Sequence, residues 1–300
     1  MKVFSNRYFT KVFIVAAIGL LSACNPTKSK QEEINNTNMI DRQIINETDV
    51  FASINLTVSE GKRLIARGIV NHPLVKQKLE SGMIIITRGT TNTYIAEELA
   101  ALSAPRGSFV TGNNTPEKGK ALDFTADKTA EIVLVNGKKS DMTYKEALDA
   151  MQKDDIVFKG ANLLNYDKKE AAVTVAAGNG GTVGLLQPYT SGDAVGHLIV
   201  PVGLEKETFG DFKIYEELLS TKDLKKANFV PRIILHKDAE IFTEIEAIKT
   251  FANVELFPFS VGGINGREGG ISLAVYGDAA EVEKVLHLVE SIQGESPFIN

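Results

Sequence analysis

The sequence predicts an α/β protein: a mainly parallel sheet with helices on both faces in three layers, then a small C-terminal α+β layer of split-βαβ type. Two observations predict it. Short strands that are apolar throughout, such as Met83-Ile84-Ile85-Ile86 and Leu198-Ile199-Val200-Pro201-Val202, alternate with helical stretches. Strands apolar on both faces belong to parallel sheets covered on both sides. Beyond residue 222 the order becomes βαββα, which suits a small sheet with its helices on one side.

The chain opens with Lys2, Arg7 and Lys11 and no acid, followed by the apolar run Val12 to Leu21. A basic start and about ten apolar residues are too short for a permanent span and read as a signal peptide, residues 1–23. Next stands Leu21-Ser22-Ala23-Cys24. It resembles the lipobox of bacterial lipoproteins, which implies cleavage before Cys24 and acylation of its sulfur. An ordinary cleavable signal with a chance cysteine is the other reading. Cys24 is the only cysteine, so the body is expected to hold no disulfide framework, thiol nucleophile or cysteine metal site. Asn25 is not the aspartate that resembles an inner-membrane retention signal. In a Gram-negative cell the expected address is therefore the outer membrane, facing the periplasm. Residues 24–50 are polar (Lys28, Lys30, Gln31, Glu32, Glu33) and are expected to tether the lipid to the body.

The body is expected to comprise an α/β domain, residues 51–222, and the small layer, residues 223–300. Val58, Ile65 and Ile69 sit at helical spacing, and Pro73 restarts a helix after Asn71-His72. Strand Met83–Ile86 leads to a helix over about Asn92 to Leu102. Ile132–Val135 is a strand closed by the turn pair Asn136-Gly137. A helix over Tyr144–Met151 and strands at Asp155–Phe158, Ala172–Val175 and Leu198–Val202 complete the domain. In the tail, strand Val230–Leu235, helix Ala239–Phe251, strands Val254–Val261 and Ile271–Tyr276, and helix Ala279–Ile292 follow a boundary near Lys222–Asn228. Loss of residues 1–23 removes three positive charges and no negative one, taking the formal net charge from −5 to −8. An acidic body without a basic cluster argues against nucleic acid as a partner.

Ligands of open parallel sheets sit at the carboxyl ends of strands. Three turns there stand out: Arg88-Gly89-Thr90-Thr91-Asn92, Lys159-Gly160-Ala161-Asn162 and Gly178-Asn179-Gly180-Gly181-Thr182. Glycine lets backbone approach a ligand, hydroxyls and free N–H groups at a helix start hold anions, and Arg88 adds a fork of donors. A merely capped helix start, with Thr91 or Asn92 as N-cap, is the competing reading of the first. The three together predict one shared pocket for a small anion.

From about Thr57 to Val202 these motifs resemble, in order, those of a Rossmann-like superfamily. It comprises ribose-5-phosphate isomerase A, glucosamine-6-phosphate deaminase and the CoA transferases. Thr87-Arg88-Gly89-Thr90-Thr91 resembles the isomerase Gly-Thr-Gly-Ser-Thr phosphate loop. Lys159-Gly160-Ala161-Asn162-Leu163 lies in frame with its Asp-Gly-Ala-Asp-Glu segment, and Ala177-Gly178-Asn179-Gly180-Gly181 resembles its Lys-Gly-Gly-Gly-Gly turn. A small C-terminal layer resembles that isomerase too. The family's two aspartates fall on Lys159 and Asn162, and its lysine on Ala177. Isomerisation needs a carboxylate base, so the resemblance implies the loop geometry without that chemistry. The CoA-transferase nucleophile is a glutamate; Glu205 is the nearest candidate, with a solvent-facing acid as its plainer reading.

His72, His197, His236 and His287 are scattered outside ligand spacing, and His197 and His236 are expected to be buried or capping. No Gly-x-Ser-x-Gly elbow occurs. Neither a cofactor nor a metal is expected. Gly262 to Gly270 reads as a long hairpin or as a lid. The function expected is a lipid-anchored envelope protein binding a small anionic metabolite. The alternatives are a partner-binding scaffold, and third an enzyme of unknown reaction using Lys159.

Overall fold

The computed structural model describes residues 48–111, 128–175, 180–221 and 232–298, all within the compact unit Asn46–Asn300. The signal peptide, Cys24, nearly all of the tether, Ala177, Gly178, Asn179 and the Lys222–Asn228 boundary lie outside the described residues.

In chain order the strands are β1 (Val50–Leu56), β2 (Met83–Ile86), β3 (Ile132–Val135), β4 (Lys138–Ser140), β5 (Ile156–Phe158), β6 (Leu163–Asn165), β7 (Glu170–Val175), β8 (His197–Pro201), β9 (Arg232–Leu235), β10 (Glu240–Phe242), β11 (Glu255–Val261) and β12 (Ile271–Gly277). The helices are α1 (Val58–Asn71), α2 (Pro73–Glu80), α3 (Thr90–Ala100), α4 (Tyr144–Ala150), α5 (Gly181–Thr190), α6 (Phe212–Thr221), α7 (Glu244–Lys249) and α8 (Ala279–Glu290).

The fold is mixed α/β around a six-stranded mixed sheet of order β10-β8-β5-β2-β3-β4. The first four strands are mutually parallel; β3 pairs antiparallel with β2, and β4 antiparallel with β3. Ile84, Ile85, Ile86, Val157 and Ile199 are buried on both faces, as uninterrupted apolar strands require. The turn Asn136-Gly137 has positive φ at both residues, 49° and 72°, which makes the β3–β4 connection a tight hairpin. Asp155 ties the amino ends of β2 and β5 together. Its carboxylate accepts from the N–H groups of Met83 at 2.9 Å and Gln152 at 2.8 Å, and from Lys78 Nζ at 3.3 Å.

The tail departs from expectation. It does not form a layer of its own. β10 joins the central sheet beside β8, while β9 pairs with β7 in a separate antiparallel sheet of order β6-β7-β9. β7 (containing Ala172–Val175) therefore lies outside the central sheet that the sequence reading gave it to. The expected helix over Ala239–Phe251 begins only at Glu244, where Thr243 and Glu246 form a reciprocal capping box. β11 and β12 pair antiparallel, and the third strand of their sheet is β1, from the other end of the chain. Its residues alternate: Ile54 and Leu56 are buried, while Phe51, Ser53 and Asn55 face out. α8 packs on β1 and β12, and α1 lies between α3 and α7.

Candidate functional site

The first turn is held by its own side chains. α3 starts at Thr90 with Gly89 as N-cap and no side-chain cap, so neither Thr91 nor Asn92 takes that role. Asn92 is fully buried, and its Nδ2 donates to Thr87 O at 2.8 Å and Phe158 O at 3.1 Å. It clamps the carboxyl end of β2 to that of β5. Its Oδ1 is buried without a partner. Arg88 Nε donates to the Glu131 carboxylate at 3.0 Å, a pair mostly removed from solvent. Thr90 and Thr91 occupy the first turn of α3, whose leading N–H groups have no intrahelical acceptor.

Lys159 follows β5 and is partly buried. Its only hydrogen bond reaches Gly160 O at 3.5 Å, too long to count for much. Burial drives its pKa down to about 8; Glu131 acts against this, and Lys206 adds to it. His236 is buried, held neutral with a pKa near 3 by burial and by the charge of Lys159. Its Nε2–H donates to Gly160 O at 3.3 Å, and Nδ1 has no partner. Asn162 turns away from the loop ends: its Oδ1 accepts from Thr174 N–H at 2.7 Å and braces β7. Of the third turn, Gly180 and Gly181 both have positive φ and lead into α5. Thr182 O accepts from the Tyr144 hydroxyl at 3.2 Å. Tyr144, pushed well up by burial, also feels the charge of Glu131. Glu131 thus connects the three turns: Arg88 by contact, Lys159 and Tyr144 through space, and Thr182 through Tyr144.

The sequence reading missed the continuation of this rim past β8 and β10. Glu205 and Lys206, in the turn after β8, pair at 3.3 Å. Glu205 is not the solvent-facing acid of the plainer reading, since its side chain is only 13% exposed. Glu244 begins α7 and is buried. Its carboxylate accepts from Leu204 N–H at 2.9 Å, and burial and the charge of Glu205 push its pKa up. Glycine at position 61 makes the room, since a Cβ there would meet Glu244 Oε1 at 2.6 Å. Lys62, on α1, is buried with its pKa lowered to about 8 by burial and by Lys206. It has no ion-pair contact among the described residues; its ammonium lies 5.8 Å from the Phe298 ring centre. A helical periodicity could not flag Lys62, because its significance comes from Lys206, Glu205 and Glu244, which folding brings near it.

Other polar clusters lie elsewhere. At the amino ends of β8 and β10, Glu240 accepts from His197 Nε2 at 2.7 Å and His72 Nε2 at 2.9 Å. These contacts hold its carboxyl down at about 2 against burial. Among the described residues no group of three or more His, Cys, Asp or Glu side chains could hold a metal. No helix among them is long and apolar enough to cross a membrane. A cavity of about 620 Å³ is bordered by Arg63, Glu97 and Glu295, and another of about 440 Å³ by Met83, Met142 and Asp155. Neither touches the three turns. Comparison with protein-family models, with curated proteins and with solved structures gives no match.

Proposed function

We propose that the protein is a lipid-anchored envelope protein whose body binds a small anionic ligand at the carboxyl edge of β2, β5, β8 and β10. The observation that carries this is the pair Lys62 and Lys159: two ammonium groups withdrawn from water, neither in contact with a carboxylate among the described residues. Shielding a cation without a partner is costly, and a bound anion would offset that cost. Lys206 lowers the pKa values of both, while Glu205 and Glu244 act the other way on Lys62 and Glu131 on Lys159. The finer fold reading, a Rossmann-like three-layer body of the isomerase and CoA transferase kind, belongs to this proposal. Four adjacent parallel strands with the motif turns at the carboxyl ends of β2 and β5 support it. A bilayer reached through acylated Cys24 and a small anionic metabolite are the partners, with nucleic acid excluded by the charge. Sugar-phosphate isomerisation is not the activity, because Lys159 and Asn162 stand where that chemistry needs aspartates. Incubating the protein with ribose 5-phosphate should give no turnover above a no-enzyme control.

The scaffold reading has one observation in its favour: Arg88 Nε and the Asn92 amide donate within the fold, to Glu131, Thr87 and Phe158. Thermal shift with phosphate, sugar phosphates and dicarboxylates separates the two readings. A binder at a hundredfold its Kd should raise Tm by roughly 5–10 °C, and Lys159→Met should abolish the shift with the fold intact. No shift from any of these anions, or an equal shift in Lys159→Met, rejects the site.

A further inference from the structure

The outer face of the β1–β12–β11 sheet has no covering layer among the described residues. Phe51 stacks on Tyr276 with ring centres 5.1 Å apart, and Phe257 meets the same tyrosine at 6.2 Å. Phe51 is 57% exposed and Phe257 47%. The three rings share this face, since Phe51 pairs with Tyr276 and Phe257 with Ala274, opposite Ser53, whereas Val261 pairs with Ile271 on the other face. Isolated exposed apolar residues are ordinary, but aromatic rings packed on one another across an uncovered sheet face mark an interaction surface.

We infer that this face lies against the lipid surface to which the chain is tethered. The inference rests on the proposed acylation of Cys24. The polar segment from Cys24 ends where β1 begins at Val50, and the next residue, Phe51, is part of the aromatic group. The tether therefore joins the body at this sheet, beside the aromatic group. Aromatic rings favour the membrane–water boundary, and apolar side chains there reach into the acyl region. A second copy pairing along β11 is a poorer occupant. Pro258 lacks an N–H, and the register shifts between Pro258 and Ser260, so the edge is irregular. An acidic body gains nothing from anionic headgroups, so apolar contact is what holds the face down.

The chain has no tryptophan, so a single introduced indole reports its own surroundings. The full-length protein carrying Phe257→Trp is placed in phosphatidylcholine vesicles containing brominated acyl chains. Phe209→Trp, at a position 84% exposed outside this sheet, serves as the comparison. Quenching of Phe257→Trp should be several-fold stronger than that of Phe209→Trp. Equal, weak quenching of both overturns the inference. A blue shift of Phe257→Trp that grows with protein concentration and ignores the bromine overturns it in favour of self-association. Fatty-acid labelling of Cys24 in the same samples keeps the two ideas apart. Label without selective quenching leaves the anchor and removes the docked face; selective quenching without label leaves the face and removes the anchor.

Discussion

Lys62 and Lys159 should write the site into the protein's pH profile. Each has a native pKa near 8 against 10.5 in an unfolded chain. Between those values the unfolded state holds more protons, so stability rises with pH across that window; below pH 8 the penalty is fully present. The rise should be on the order of a few kcal/mol for the two groups together. From about pH 10 upward Tyr144 and Tyr166, both pushed up by burial, reverse the slope. On the acid side of the window Glu244 also slopes downward with pH, because its native pKa is raised. Urea midpoints from pH 8 to 10 test this. Lys62→Met and Lys159→Met should each flatten the rise, and a flat wild-type profile would remove the buried-cation argument. At this scale the sequence exposed Arg88, Lys159 and the glycine turns, because their types announce themselves after a strand. It hid Lys62, Glu131 and Glu244, ordinary charged residues in helices and loops that matter only through what folding brings beside them. It also suggested a ligand-facing Asn162, whose amide oxygen is engaged with Thr174.

At the scale of elements, α1 shows how a glycine can serve packing rather than flexibility. A Cβ at Gly68 would lie 2.5 Å from Ala247 Cα, so α1 and α7 touch backbone to backbone. Gly68→Ala should destabilise by about 1–3 kcal/mol through overpacking, despite alanine's better helix propensity. A neutral or stabilising result, read from the urea midpoint, would mean the helices separate more easily than this contact implies. Gly137 tests the hairpin in the same way. It has a φ of 72° and a would-be Cβ 2.8 Å from Leu79 O, so Gly137→Ala should also lower stability. The elements legible in the sequence were those with uninterrupted apolar runs or a turn pair, β2, β8 and the β3–β4 hairpin. β1 was legible in principle from its alternation over Phe51–Leu56, but its proximity to a polar segment masked it. β10 is three residues long, too short for any period, and only the capping box at Thr243 separates it from α7.

Over the whole molecule, sheet membership does not follow chain order. β1 pairs with β12 more than 200 residues away, and no local pattern encodes such a pairing. Packing then divides the body unevenly. Ile54, Leu56, Leu273 and Val275 belong to the same buried cluster as Ile84, Val157 and Ile199. In the β6–β7–β9 region Leu164 and Ala171 reach that main cluster, while Ala172, Phe212, Ile233 and Leu235 form a small one of their own, backed by α6. Two cooperative units should result, because segments with few shared buried contacts open on their own. Native-state hydrogen exchange should show β7 and β9 opening below the global free energy, while β1 and β12 exchange only with β2, β5 and β8. Leu56→Ala, at a fully buried position, should lower protection across the central sheet by about 2–5 kcal/mol. Phe212→Ala should instead speed exchange in β7 and β9 and leave β2, β5 and β8 unchanged. If Phe212→Ala lowers protection everywhere by the same amount, the small sheet is part of the main cooperative unit. The loops joining it to the strand ends would then be as rigid as the central sheet itself.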